Sequence, residues 1–276
     1  MTIVVQFSIF ALLFGLLVGS FLNVVICRLP EDRSIVFPAS HCPSCGTNIR
    51  PYDNIPVLSW LLLRGKCRDC KSPISSLYPT IEMLTGVLAW LWYMQVFQNP
   101  SDLGKIENIL GFLFYFAFIA ALIAESYIDI RHYIIPDQLS IYAVPFAILG
   151  MAGLSHLGFA QAISWQESIL GAFFGGGSLA AIAFLWRIIR RYEGMGFGDV
   201  KLLALIGAML GTWPALFFVI IISSISASVL VLLGTLWGRG LRVAIPYGPF
   251  LALASVVWLL HGPQMADYWL PGWRLL

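Results

Sequence analysis

The stretch GMGFGDVKLLALIGAML, residues 194–210, places Asp199 and Lys201 at the mouth of an apolar run, directly after three glycines. An ionised carboxylate at the centre of a bilayer costs roughly 2.5 to 3.5 kcal/mol on insertion scales. A charged group beside a membrane segment therefore indicates a requirement of structure or function. The rest of the chain must first show whether this run belongs to a membrane at all.

The composition indicates a protein with several membrane spans. Of the 276 residues, 59% are hydrophobic and 11% are charged, whereas soluble domains contain about 25% charged residues. The apolar stretch that begins at Ile3 has no basic residue before it and is longer than the core of a signal peptide, so it predicts a retained membrane helix. The net charge of +2 does not suggest nucleic-acid binding, because in a membrane protein the positions of lysine and arginine carry the information.

The apolar segments predict the fold class. At about 20 apolar residues per span, the sequence predicts an all-α polytopic membrane protein with about eight transmembrane helices. The sixth predicted helix is unusually short. The predicted helices lie near 3–27, 78–97, 108–128, 138–157, 167–187, 200–213, 215–237 and 246–261.

The basic residues predict the orientation. All lysines and arginines except Lys105 and Arg274 fall on one predicted side, which the positive-inside rule makes cytoplasmic, so both ends of the chain are expected outside. The polar segment 28–77 on the cytoplasmic side has too few apolar residues to bury a core of its own. We therefore expect a first membrane helix over 1–27, a cytoplasmic loop over 28–77 and a membrane-embedded domain over 78–276.

Four cysteines in this loop form two C-x-x-C pairs, Cys42 with Cys45 and Cys67 with Cys70. Each pair places two thiolates on one tight turn, and two such turns complete a tetrahedral site for Zn²⁺. Because sulfur would occupy all four positions, the metal is expected to fold the loop and not to catalyse a reaction. Another metal, free thiols and two disulfides are the alternatives, although disulfides are rare in the cytosol. The fifth cysteine, Cys27, is interpreted as a packing residue.

Two aspartates meet the membrane on the same predicted side. Asp129 ends the third apolar segment, one helical turn after Glu125, and Asp199 begins the sixth. The helix macrodipole disfavours a negative charge at a helix C-terminus, so the position of Asp129 calls for another explanation. Asp137, which follows Pro136, has a simpler interpretation as the start of a helix.

Two carboxyl groups that share one proton can act together, one as a base for water and the other as an acid toward a carbonyl. This is the chemistry of an aspartic protease. Gly196 and Gly198 would then allow a sharp turn and the approach of an extended peptide. Taken alone, the Gly-Phe-Gly-Asp stretch also fits a loop with a capping aspartate.

Five segments resemble those of the type IV prepilin leader peptidases, which are membrane members of the GxGD aspartyl proteases. In that family the first aspartate of one motif and the aspartate of the Gly-x-Gly-Asp motif are catalytic, which implies Asp129 and Asp199 here. The segments are GLLVGSFLNVVICRLP (15–30), CPSCGTNIRPYDNIPVLSWLLLRGKCRDC (42–70), YIDIRHYIIPD (127–137), GMGFGDVKLLALIGAMLG (194–211) and IPYGPFLALA (245–254).

The resemblance also implies a substrate, namely a prepilin or a pseudopilin of type II secretion. Family members cleave after a glycine at the cytoplasmic face of the bacterial inner membrane and methylate the new N-terminus with S-adenosylmethionine. The sequence contains no glycine-rich fingerprint for a methyl donor, so analogy alone places that site in the 28–77 loop, near Gly65. The expected partners are these substrates and membrane lipid, without nucleic acid.

Two other classes of protein remain open from the residues. An ion-coupled transporter with a structural zinc loop would use buried acids such as Glu82 and Glu125. That class predicts acids at mid-membrane, whereas Asp129 and Asp199 are predicted at the membrane edge. A zinc metalloprotease needs an open coordination position and usually H-E-x-x-H, and the sequence offers neither.

Overall fold

The computed structural model describes residues 2–190, 196–236 and 245–269. The described ranges contain no strand, and their β contacts are two isolated bridges, His41 with Asn48 and Lys66 with Pro73. The helices in these ranges are α1 (Thr2–Arg28), α2 (Leu58–Leu62), α3 (Leu77–Val96), α4 (Ile106–His132), α5 (Ala143–Leu157), α6 (Trp165–Arg190), α7 (Phe197–Leu210), α8 (Ala215–Leu236) and α9 (Gly248–Trp269).

The expected all-α fold is confirmed. Helices α1 and α3 to α9 lie where the sequence predicts spans, whereas α2 lies inside the predicted loop. Within the described ranges, five helices are long and apolar enough to cross a membrane, namely α1, α4, α6, α8 and α9. The chain is therefore a multi-pass membrane protein, and five of its helices, not eight, meet both the length and the hydropathy of a span.

The chain divides into two compact units, Met1–Ala124 and Glu125–Leu276. The division falls inside α4, so this one helix contributes to both units. The three regions expected from the sequence, with boundaries at 27 and 77, stay a prediction.

In the first unit, α1 and α3 pack antiparallel through small residues. A Cβ atom on Gly19 would lie 2.7 Å from the Cα atom of Glu82, and a Cβ atom on Gly15 would lie 2.6 Å from the Cβ atom of Ala89. Small residues allow helix backbones to approach closely, which is a common solution in membranes. Asn23 on α1 also donates a hydrogen bond of 3.2 Å to the carbonyl oxygen of Tyr78 at the start of α3.

In the second unit, α7 is a buried helix that carries Asp199 near its start. Every residue of the range 202–210 is buried, as expected for a helix that is apolar on all sides. With 14 residues the helix is about 21 Å long, shorter than the ~30 Å hydrocarbon core of a bilayer. The expectation of an unusually short sixth segment is therefore confirmed.

Helix α6 holds α7 in place through close backbone contact. A Cβ atom on Gly171 would overlap the carbonyl oxygen of Gly207, and a Cβ atom on Gly207 would overlap that of Gly171. Ser168 on α6 donates a hydrogen bond of 2.6 Å to the carbonyl oxygen of Ala208. These contacts hold the C-terminal end of α7 against α6. Nearer the start of α7, a Cβ atom on Gly176 of α6 would lie 3.5 Å from the carbonyl oxygen of Val200.

Candidate active site and metal centre

Asp129 lies near the C-terminal end of α4, where its side chain is buried. Its Oδ2 atom accepts a hydrogen bond of 3.0 Å from the backbone N–H of Gly248, the first residue of α9. N–H groups in the first turn of a helix lack partners within the helix and carry partial positive charge, so they favour a negative partner. This contact compensates for the unfavourable position of Asp129 at the end of its own helix.

Gly248 has to be a glycine for this contact to form. A Cβ atom at this position would lie 2.8 Å from Oδ2 of Asp129. Sequence reasoning missed Gly248 as a site residue, although it lies within IPYGPFLALA, one of the segments that carry the family resemblance.

Asp199 lies in the first turn of α7 and is half-buried. Gly198, the residue before it, and Gly248, which is hydrogen-bonded to Asp129, both approach the side chain of Ile135. The structure thus brings together, within the second unit, the two aspartates that the sequence singles out. Such a pair can share one proton and so contain both a base and an acid.

Ile135 lies at the point where three segments of the site meet. A Cβ atom on Gly198 would lie 3.1 Å from the Cβ atom of Ile135, and a Cβ atom on Gly248 would lie 3.4 Å from its Cδ1 atom. Gly198 directly precedes Asp199, and Gly248 is bonded to Asp129. The buried Ile135 side chain therefore sets the spacing of the elements that carry the two aspartates.

The sharp turn expected at Gly196 and Gly198 stays a prediction, because residues 191–195, which lead into them, lie outside the described residues. Gly196 has an extended backbone with φ −67° and ψ 138°, and neither Gly196 nor Gly198 has a positive φ. A side chain at Gly198 would crowd Ile135. Among the described residues, no atom lies within 4 Å of a Cβ atom on Gly196, while Gly194 lies outside them.

Lys201, the second charged residue of the opening stretch, forms an ion pair with Asp137 at 2.5 Å. The interpretation of Asp137 as the start of a helix is wrong, because α5 begins at Ala143. Lys201 also lies 5.9 Å from the centre of the Phe197 ring. The lysine is therefore the counter-ion of Asp137, which follows the Asp129 helix in the chain.

The two acids that a transporter would use differ in their surroundings. Glu82, in the first unit, accepts a hydrogen bond of 2.7 Å from the backbone N–H of Val57. Glu125, in the second unit, is 1% exposed, and neither of its carboxyl oxygens has a hydrogen-bond partner among the described residues.

The four cysteines of the loop form one cluster. Their Sγ atoms all lie within 4.8 Å of one another, and those of Cys42 and Cys70 are 3.8 Å apart. Four sulfurs bound to Zn²⁺ at about 2.3 Å would be separated by about 3.8 Å in a tetrahedron. The cysteines are free and not paired as disulfides. The cluster therefore fits a metal ion of this size, with the ligands Cys42, Cys45, Cys67 and Cys70.

Each C-x-x-C pair lies on a turn of the same construction. The N–H of Cys42 donates to the carbonyl oxygen of Thr47 at 2.9 Å, and that of Cys67 donates to Ser72 at 2.8 Å. Both turns close five residues after the first cysteine, so the two halves of the cluster have equivalent backbone support. Repeated turns of this kind are typical of structural zinc sites.

Backbone groups also favour the ionised form of a ligand. Hydrogen bonds from the backbone of Cys45 and Ser44 lower the pKa of the Cys42 thiol to about 6. The thiolate is the form that binds metal. The turn thus prepares Cys42 for coordination.

Gly65 lies between the two turns, and its surroundings explain why it is a glycine. The residue is buried and has a φ of +66°, and a Cβ atom there would lie 2.9 Å from the ring of Trp60. The Trp60 Nε1 atom in turn donates to the carbonyl oxygen of Ile74 at 3.2 Å. Trp60 fills the space beside Gly65, while direct contact of Gly65 with a methyl donor stays a prediction.

A salt bridge stabilises the outer part of the loop. The guanidinium group of Arg68 contacts both carboxylate oxygens of Asp53 at 2.6 to 3.0 Å. These hydrogen bonds hold the pKa of Asp53 below its usual value. Two-point contacts of this kind add orientation as well as charge attraction, so the pair helps to shape the loop.

Comparison with known proteins assigns the chain to a family. Residues 13–96 match the Bacterial Peptidase A24 N-terminal domain, and residues 115–232 match the Type IV leader peptidase family. The two matched ranges contain the cysteine cluster and both aspartates, respectively. No solved structure matches the chain.

Several curated relatives are similar over nearly the whole chain, and all of those named here are called prepilin leader peptidase/N-methyltransferase. The relative from Dichelobacter nodosus is 37% identical over 92% of this chain and 92% of its own length. The relatives from Pseudomonas aeruginosa and Stutzerimonas stutzeri are 34% and 36% identical, over 96% and 98% of this chain and over 93% and 96% of their own lengths. These matches confirm the resemblance inferred from the motifs: the chain belongs to the type IV leader peptidase family.

Proposed function

We propose that the chain is a bifunctional membrane enzyme that cleaves and then methylates its substrate. It removes the leader peptide of type IV prepilins or type II secretion pseudopilins after a glycine, and it transfers a methyl group to the new N-terminus. The observation that carries this proposal is that the segments bearing Asp129 and Asp199 meet at Ile135 in a chain whose relatives are named prepilin leader peptidase/N-methyltransferase.

The two aspartates have different roles in peptide hydrolysis, one as a general base and the other as a general acid. Asp129, which accepts a hydrogen bond from the Gly248 N–H, is the ionised partner. It takes a proton from the attacking water. Asp199 donates its proton to the carbonyl oxygen as the water oxygen bonds to the carbonyl carbon. When the C–N bond breaks, the leaving amine takes the proton held by Asp129, and the hydroxyl proton returns to Asp199.

An open backbone next to Asp199 suits an extended substrate. Gly196 is exposed, and no described atom lies within 4 Å of a Cβ atom at this position. A peptide backbone could therefore approach the first turn of α7 without steric hindrance. In this proposal Gly196 leaves room for the substrate backbone, whereas Gly198 allows α7 to pack against Ile135.

The loop over residues 28–77 supports the second activity. Zn²⁺ bound by Cys42, Cys45, Cys67 and Cys70 would fold the loop and take no part in the reaction. S-adenosylmethionine, when bound, supplies the methyl group. We propose that Gly65 acts on methylation through the backbone shape that it gives the loop, because Trp60 already occupies the adjacent space.

The enzyme is placed in the bacterial inner membrane with its active site at the cytoplasmic face. The basic residues support this orientation, and α3, α5 and α7 would complete eight passes together with the five apolar helices. The first unit would then carry the cytoplasmic loop, and the second the aspartyl protease domain.

The test uses purified protein and a synthetic prepilin peptide, with and without a zinc chelator. We expect the peptide to be cleaved after its glycine. This activity should persist for some time after the chelator is added, because the metal has a structural role. Immediate and complete inhibition would indicate a zinc metalloprotease. A protein that never cleaves the peptide but moves ions in vesicles would be the transporter, a class that the names of the relatives do not support.

A further inference from the structure

The short helix α2 presents an apolar face to its surroundings although it lies in a polar loop. Leu58, Leu61 and Leu62 are 49%, 58% and 74% exposed. Their spacing of three and four residues places them on one side of the helix. The opposite side is turned inward, since Ser59 is buried and Trp60 is hydrogen-bonded to Ile74.

The contacts of α2 place its start beside the body of the α1–α3 pair and not beyond the C-terminal end of α1. The backbone N–H of Val57, directly before α2, donates to Glu82 of α3, and Glu82 faces Gly19 of α1. Gly19 lies about 13 Å along the helix axis from Arg28, the last residue of α1, at 1.5 Å per residue. The start of α2 is thus held within the reach of one glutamate side chain from that level.

The depth of this position in the membrane can be inferred from the length of α1. With 27 residues the helix is about 40 Å long, so it exceeds the ~30 Å hydrocarbon core by about 5 Å at each end. A point about 13 Å from its cytoplasmic end therefore lies inside the hydrocarbon region. The three leucines of α2 are at or near the depth of acyl chains.

The polar groups near the start of α2 are satisfied as this depth requires. Backbone N–H groups in the hydrocarbon region need partners within the protein. The N–H of Val57 has Glu82, and that of Ile55 donates to the Ser59 hydroxyl at 3.1 Å. The Ser59 hydroxyl in turn donates to the carbonyl oxygen of Tyr52 at 2.9 Å.

Positively charged residues after the C-terminal end of α2 suit the anionic headgroups of a lipid surface. Arg64 and Lys66 follow the helix closely and both are exposed. Basic side chains beside an apolar anchor are attracted to the anionic headgroups of a cytoplasmic leaflet. An apolar helix face accompanied by arginine and lysine is typical of an interfacial helix.

We propose that α2 is a re-entrant anchor that inserts Leu58, Leu61 and Leu62 among the acyl chains of the cytoplasmic leaflet, with Glu82 holding its N-terminal end at that depth. The loop that carries the cysteine cluster is then tied to the membrane surface and does not extend freely into the cytosol. This surface is separate from the two aspartates and does not depend on the proposed hydrolysis.

Photo-crosslinking of the full chain tests the anchor. Benzoylphenylalanine replaces Leu62, in nanodiscs of phosphatidylethanolamine and phosphatidylglycerol, and adducts are identified by mass spectrometry. Phe10, 67% exposed on α1, is the lipid-facing control, and the exposed Asn48 of the loop is the water-facing control. We expect lipid adducts at Leu62 as at Phe10. The absence of adducts, as at Asn48, would overturn the proposal, and so would adducts with an added prepilin peptide or with a second copy of the chain.

A pair of variants tests the role of Glu82. Glu82→Gln keeps an acceptor for the Val57 N–H, whereas Glu82→Leu removes it. Hydrogen exchange of the peptide that contains Val57 should be about tenfold faster in Glu82→Leu and nearly unchanged in Glu82→Gln. Lipid adducts at Leu62 should decrease in the same variant. If Glu82→Leu changes neither measurement, Glu82 does not hold the anchor.

Discussion

The backbone N–H of Gly248 donates a hydrogen bond to Oδ2 of Asp129, which precedes it by 119 residues in the chain. The contact joins the start of α9 to the end of α4 and orients the carboxyl group of Asp129. A side chain at Gly248 would meet the carboxylate at 2.8 Å. The orientation of Asp129 thus depends on a residue that carries no functional group of its own.

Replacing Gly248 by alanine should reduce cleavage without unfolding the protein. The added methyl group displaces Oδ2 of Asp129 and removes a positioned donor, so we expect kcat to fall by about a hundredfold. Gly177→Ala is the matched control, because it lies in a helix and no atom lies within 4 Å of the added Cβ. Equal activity of the two variants would show that the Gly248 contact is not needed for the reaction.

The Asp129→Asn and Asp199→Asn variants should each lose cleavage by about a thousandfold or more, since an amide has nearly the shape of a carboxyl group but cannot share a proton. Expression and metal content should stay normal. Asp32→Asn, an exposed acid of the first unit, serves as the control in the same peptide assay. Processing at the normal rate by either variant would remove that aspartate from the mechanism.

Metal analysis should find about one Zn²⁺ per chain, as four thiolates complete one tetrahedral site. Replacing any of Cys42, Cys45, Cys67 or Cys70 by serine should release the metal and expose the loop to proteolysis. Cys27→Ser should keep the metal, because Cys27 lies outside the cluster. A gently purified protein without zinc, or with a disulfide between two of these cysteines in the cell, would contradict the metal site.

Thiol labelling from outside the cell tests the orientation. A cysteine introduced at Ser101, in the turn between α3 and α4, should react with a membrane-impermeant maleimide, whereas one at Asn48 should react only after lysis. The parent protein is the control for its own cysteines. A reversed pattern would place the aspartates on the wrong face for the proposed reaction. The end of the chain near Trp273, which is also expected outside, lies beyond the described residues.

Gly65→Val should leave a product that is cleaved but not methylated. The valine combines an unfavourable positive φ with a clash against Trp60, so it distorts the loop while the aspartates lie in the other unit. Gly46→Val is the control, because Gly46 also has a positive φ, +72°, but no atom within 4 Å of the added Cβ. Mass spectrometry of the mature N-terminus measures both activities. Equal loss of cleavage and methylation in Gly65→Val would show that the loop serves both.

The sequence by itself determined the fold class of the protein, the cysteine ligands predicted for the metal and the two candidate catalytic aspartates. Apolar segments of about 20 residues predict membrane helices, because length and hydropathy are local properties of the chain. The two C-x-x-C pairs predict the metal ligands for a similar reason, since each pair lies on one turn. The motifs around Asp129 and Asp199 were sufficient for the family.

Only the tertiary structure decided which residues support those groups. The bond from Gly248 to Asp129, the pairing of Lys201 with Asp137 and the contact of Glu82 with Val57 join residues that are far apart in the chain. No periodicity or composition reports such contacts, because they depend on which helices pack together. For the same reason the close approach of Gly198 to Ile135 was not expected from the sequence.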